Sequence, residues 1–357
     1  MKRLLPILWG AVLVAGLGAA AAARADDAKK LRIITWSDYV PAEVIAQFKK
    51  ETGIQVEVSL SNNEEIISKL RATGGAGFDL AQPSQDRIVS AQQEFRIYRP
   101  FDLSKVKVDE FMPDLLATVK KNASLDGKLY ALPYVWGAEG MVANTKRAQV
   151  SDYLDLCKPE YRGKTTLRLR RPTLMAFAFA LGKNPFSLYG DTRAYTALME
   201  QVGQTLTKCK ANLRFFFDNK DQLINGMRTG EIVAAMSWDS IAWKLNRENP
   251  DIKFVNPKSG AIFWLDTFAL PARGRNEAGA YAWINFTMRP DVAAKIARSI
   301  GNFTASQGAA ALMDPQVKAQ FAASFPNGLK NAIWYPAIPP GLEEIEGRVL
   351  DRIKASN

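Results

Sequence analysis

The 357-residue sequence carries 47 lysines and arginines against 36 acids, a formal charge of +11, with two cysteines and no histidine. Without histidine, the Ser-His-Asp and Cys-His nucleophile systems and all imidazole-ligated metal sites are excluded, and two cysteines cannot supply four thiolates. The positive balance favours solubility and attraction to anionic surfaces, and with no basic tract longer than "RLRR" nucleic acid is not an expected partner.

Residues 1–25 read as a secretory signal peptide. Lys2 and Arg3 precede the apolar run "LLPILWGAVLVAGLGAAAA", and Ala23-Arg24-Ala25 marks the expected cleavage point before Asp26. Its removal takes away Lys2, Arg3 and Arg24 and no acid, so the charge falls from +11 to +8. No later apolar run approaches the ~18–20 residues that span a bilayer. The remaining length suits two cores, and the expected location is the periplasm.

A strand is predicted at "KLRIITW" (30–36), then the loop "SDYVP" and a helix started by Pro41, with Val44, Ile45 and Phe48 on one side and Gly53 as its stop. "IQVEVSL" (54–60) alternates as a strand. "NNEEIISKLRAT" (62–73) is a helix with an asparagine start, closed by "GGAGF", and "FDLAQPS" (78–84) is a short strand ending in a proline turn. A second alternating region follows "ALPYVWGAEGMVANT" (131–145). Strands "KTTLRL", "LRFFF" and "IVAAMSW" are interleaved with helices "PTLMAFAFALG", 192 to about 208, and "KDQLINGMRTG". "DVAAKIARSIG" and "GLEEIEGRVLDRIK" add helices that must pack on what is already built. The alternation predicts an α/β fold of two lobes, each a mostly parallel sheet flanked by helices. Cys157 and Cys209 either pair, closing a loop of about fifty residues, or remain two buried thiols.

In such sheets ligands sit beyond the carboxyl ends of the strands. The loops there are Trp36-Ser37-Asp38-Tyr39, Ser84-Gln85-Asp86, Arg168 to Arg171, Trp238-Asp239-Ser240 and Trp264-Leu265-Asp266. Three carry a tryptophan and four a carboxylate. Aromatic faces can flank an apolar or cationic stem, and carboxylates can accept from an amine.

The ordered series "ITWSDYVP…FKKETGIQV", "FDLAQPS", "LPYVWGAEGMVANT", "KPEYRGK", "AIFWLDTFALP" and "INFTMRPDVAAKIARSIG" resembles the periplasmic spermidine/putrescine-binding proteins of ABC importers, a branch of the type II solute-binding fold. The resemblance implies lobe 1 from 26–140 with 267–310, and lobe 2 from 145–262 with 311–357. The hinges would lie near 140–145 ("GMVANT") and 265–271 ("TFALP"), with a ligand cleft between the lobes. It implies that Trp36 and Tyr39 form an aromatic wall with Asp38 nearby. Ser84 would be a polar contact, Trp238 and Trp264 pocket aromatics, and Asp266 the acceptor for an amine. Tyr335 stands where spermidine binders often place a glutamine. Ser37, Gln85 and Asp239 join the candidates as residues at strand ends. The implied partner is an inner-membrane permease, the protein being a monomer with no cofactor, no metal and no catalysis.

One departure matters. Where the polyamine binders carry an acidic turn, this chain has Arg168, Arg170 and Arg171. An ammonium placed about 4 Å from a guanidinium loses roughly 4 kcal/mol at an effective dielectric near 20, about a thousandfold in affinity. Ahead of Pro172 and a helix N-terminus, the same arginines suit an anion. The cargo expected is therefore a small amine that also bears an anionic group, gripped by Arg168 or Arg170 in preference to Arg171. A plain polyamine binder, with the arginines outside the pocket, stays open. More remote are a ferric-ion receptor, which lacks its usual paired tyrosines here, and a secreted hydrolase using Asp38, Asp239 and Asp266.

Overall fold

The structure, a computed structural model, describes residues 27–326, 328, 329 and 332–356; the expected signal peptide, 1–25, lies outside them. Strand β1 (Lys30–Thr35) leads to helix α1 (Ala42–Thr52), strand β2 (Gln55–Leu60), helix α2 (Asn63–Thr73) and strand β3 (Leu80–Ala81). Gly53 stops α1 in the left-handed conformation, at φ 74°. The Asn62 side chain caps α2 by accepting from the Glu65 amide. These strands form a parallel sheet in the order β2-β1-β3, with Ile33 opposite Leu80.

The second sheet is built around β4 (Leu132–Asn144), a 13-residue strand buried at every position but its last. After β4 come β5 (Thr165–Leu167), α3 (Arg171–Ala180), α4 (Thr192–Lys210), β6 (Phe215–Phe216), α5 (Lys220–Thr229), β7 (Ala234–Trp238), α6 (Asp239–Glu248), β8 (Ile252–Val255) and β9 (Ile262–Phe268). Helices α7 (Glu277–Thr287) and α8 (Pro290–Ile300), strands β10 (Phe303–Thr304) and β11 (Ile333–Trp334), and helix α9 (Leu342–Ala355) complete the part used below. The eight strands run β11-β9-β4-β7-β5-β6, with β8 and β10 also on β4.

This sheet is mixed, whereas a mostly parallel one was expected. β7, β8, β9 and β10 all pair antiparallel to β4; the β7–β5, β5–β6 and β9–β11 pairs are parallel. β8 and β9 follow one another along β4, pairing with 144–141 and then 139–132, so the loop between them needs no crossover.

β4 feeds all three apolar clusters. Val135 and Trp136 enter the first, with Phe48, Phe268 and Trp283. Met141 enters the second, with Tyr153, Leu174 and Tyr195, and Val142 the third, with Phe217 and Ile241. The stretch 311–357, expected to lie in lobe 2 as a whole, divides between cores. Met313 and Phe325 pack in the first, Tyr335 through Ile353 in the second. Cys157 and Cys209 are disulfide-bonded, their Cα atoms 4.8 Å apart, tying α4 to the turn before β5. No helix among the described residues is long and apolar enough to cross a membrane.

Candidate ligand-binding site

The loop after β5 delivers the three arginines to different places. Arg168 and Arg170, two apart in extended backbone, both line a cleft with Glu139, Phe217, Met236 and Trp238, about 260 Å³ of empty space partly open to solvent. The Arg168 guanidinium lies over the Trp238 ring, 5.0 Å from its centroid. Thr173, in the first turn of α3, fixes the loop by donating to the Arg168 carbonyl at 2.5 Å. Burial lowers the pKa of Arg168, Glu139 opposes that shift, and Arg170 reinforces it. Its Nε is buried without a hydrogen-bond partner among the described residues.

Arg171 turns the other way into a buried network. Its Nη1 is 3.2 Å from Asp86 and its Nε 2.9 Å from Glu346, and Nη2 donates to the Tyr189 hydroxyl at 2.5 Å. Tyr195 donates to the same Glu346, and the Tyr335 ring lies 5.1 Å from the guanidinium.

The carboxylates sort as clearly. Asp266 is buried, with Tyr39 donating to one oxygen and Ser84 to the other, each at 2.5 Å. Burial pushes its pKa up to about 7, with the Ser84 and Tyr39 hydrogen bonds pulling it back. Asp239, offered by the sequence as a cleft residue, is fully buried. It accepts from the Ala138 amide at 3.0 Å, the Ser240 amide at 2.8 Å and Asn302 Nδ2 at 2.7 Å, so it fastens α6 to β4 and does not face the cleft. Asp38 is exposed in left-handed backbone, φ 69°, and pairs with Lys220 at the start of α5; Ser37 beside it is exposed.

The aromatic candidates are half-buried or buried. Trp36 Nε1 donates to the Gln82 carbonyl at 3.0 Å. Trp264 lies on Gly137 of β4, where a Cβ would fall 2.6 Å from its ring, and its Nε1 has no partner among the described residues. Gln85 is fully buried and donates to the Tyr335 carbonyl at 3.2 Å. The Tyr335 hydroxyl in turn donates to Glu139 Oε2 at 2.9 Å.

Glu139 is the residue sequence reasoning missed. It lies in β4 directly opposite Trp238 of β7. Burial raises its pKa to about 7, against the pull of Tyr335, Arg168 and Arg171. The signal was there: an acid in "WGAEGM", inside an otherwise apolar run. Lys220, the partner of Asp38, was also missed. The structure thus gathers Arg168, Arg170, Trp238 and Glu139 in one group and Tyr39, Ser84 and Asp266 in another, with Tyr335 and Gln85 between them. Among the described residues, no group of three or more acids or cysteines is placed to hold a metal ion.

Residues 43–324 match the bacterial extracellular solute-binding protein family. The chain is 34% identical over 323 residues to the spermidine/putrescine-binding periplasmic protein of Escherichia coli K12, covering 88% of each. It is 30% identical over 338 residues to the putrescine-binding periplasmic protein PotF of the same organism, covering 89% of this chain and 88% of that one. The crystal structure of the spermidine/putrescine ABC transporter substrate-binding protein PotD of Streptococcus pneumoniae shares the fold, with a TM-score of 0.74 at 24% identity over 92% of this chain and 99% of that one. The chain belongs to the bacterial extracellular solute-binding proteins, in the branch that holds the spermidine/putrescine-binding periplasmic proteins.

Proposed function

We propose that this protein is the periplasmic receptor of an ABC importer and that its cargo is a small amine that also carries an anionic group. The observation that carries the reading is Arg168: its guanidinium lines the cleft, stacked on Trp238, with a buried Nε that none of the described residues satisfies. A buried donor left unpaired costs about 1–3 kcal/mol, and an anionic ligand group removes that cost. A second ammonium in the same place meets repulsion of roughly 4 kcal/mol.

The receptor works by closure and leaves its cargo chemically unchanged. We place the hinges near 140–145 and 265–271, at the end of β4 and in β9 with the residues after it, between the lobes outlined above. Cargo that touches both walls favours the closed form, which docks on the permease. Turning such an equilibrium from mostly open to mostly closed takes roughly 5 kcal/mol of differential binding.

Thermal-shift screening of the mature protein against polyamines, amino acids, opines and aminophosphonates tests this. A clear upward shift is expected with compounds of both signs, and little or none with spermidine. A shift with spermidine and putrescine alone would overturn the proposed cargo and favour the plain polyamine reading.

A further inference from the structure

Three of the acids named at the strand ends are already engaged. Asp38 holds Lys220, Asp266 holds Tyr39 and Ser84, and Asp239 holds two amides and Asn302. Glu139 is different. It lines the cleft, and Tyr335 is the hydrogen-bond donor that the described residues give it. Its location follows from register: in the antiparallel β4–β7 pair Glu139 stands opposite Trp238, so both side chains project from one face. The Trp238 ring carries the Arg168 guanidinium. An acid and a cation therefore flank one indole in one small cleft. They are near enough for Glu139 to be the leading charge partner of Arg168. Yet among the described residues the two form no ion pair within 4.0 Å.

We propose that Glu139 and Arg168 form a bipolar subsite for a compact zwitterion of the α-amino-acid type, its ammonium on Glu139 and its carboxylate on Arg168. The inference rests on the reading that the cargo carries both signs and adds where each charge sits. Two opposite charges held apart but not in contact match a ligand whose own charges are separated by a single carbon. Inserted between them, it replaces a direct ion pair with two charge-assisted hydrogen-bonded ones. A chain with charges at its two ends can place only one of them here.

Isothermal titration of the mature protein with four four-carbon probes tests this: 2-aminobutanoate, 4-aminobutanoate, 1,4-diaminobutane and butanoate. 2-Aminobutanoate is expected to bind at least tenfold tighter than any of the others. Glu139→Gln keeps an acceptor for Tyr335 and is expected to weaken 2-aminobutanoate at least tenfold while leaving butanoate within about threefold. If that variant fails to fold, the ranking with the wild-type protein still decides. Tighter binding of 4-aminobutanoate, unaffected by Glu139→Gln, would overturn the compact subsite and leave the two-signed cargo standing. Binding of 1,4-diaminobutane alone would overturn both. Binding of none of the probes by folded protein would also count against the subsite.

Discussion

Arg168 and Arg171 stand three positions apart and have opposite fates. The alternation in "TLRLR" already separates the side of Arg168 and Arg170 from that of Arg171, and this much was legible. Arg171's partners were not, because Glu346 lies 175 positions away. Asp239 misled for a related reason: a carboxylate after a strand looks like a ligand contact, but one of its donors, the Ala138 amide, comes from β4, reached only in the folded chain. Glu139 leads to a pH prediction. Burial puts its pKa at about 7, with Tyr335, Arg168 and Arg171 pulling it down and Asp86 pushing it up. Below that pH it is mostly neutral. An ammonium beside it favours the ionised form, so the bound state has the lower pKa and binding expels a proton. Titrations at pH 6 in buffers of different ionisation enthalpy are expected to report release of up to about one proton per cargo bound, lost in Glu139→Gln. Affinity is expected to fall as the pH drops from 8 to 5.5. No release at pH 6 would separate Glu139 from the cargo's amine.

At the scale of elements, the strand–helix alternation and the glycine and asparagine helix ends placed β1 and β2 to within a residue, because each signal is local, whereas the strand expected over 78–84 pairs only at Leu80–Ala81. For β4 the sequence offers only the expected hinge near 140–145 and not its antiparallel pairings, since nothing local distinguishes a strand that recruits four antiparallel neighbours. Gly137 and Gly140 show what such a strand needs. Their missing side chains make room for the rings of Trp264 and Phe254, which a Cβ would approach to 2.6 Å and 2.4 Å. The cysteines were legible as a possible pair, and the structure shows them bonded across a separation of 52 residues. Closing such a loop restricts the unfolded chain by roughly 4 kcal/mol in the entropy model. Reduction, or replacement of both cysteines by serine, is expected to lower the melting temperature by several degrees while leaving cargo affinity within about twofold. An unchanged melting temperature would contradict the expected contribution.

Over the whole molecule, contacts join the N-terminal sheet region to the second sheet and the C-terminal helix. Asp38 meets Lys220, Asp86 meets Arg171, and Arg87 meets Glu343. The Ile338 amide donates to the Asp86 carbonyl at 3.0 Å. Among the described residues the buried Nε atoms of Arg87 and Arg168 make no hydrogen bond, and of these two Arg168 is the one that lines the cleft. Taking the family's polyamine site over unchanged would ignore that group. Titration of spermidine into the wild-type protein and into Arg168→Gln, side by side, puts this to the most direct test. Weak binding to the wild-type protein, in the millimolar range or worse, and at least tenfold tighter binding to the variant are expected. Submicromolar spermidine binding to the wild-type protein, no tighter in the variant, would show that the guanidinium does not face the cargo.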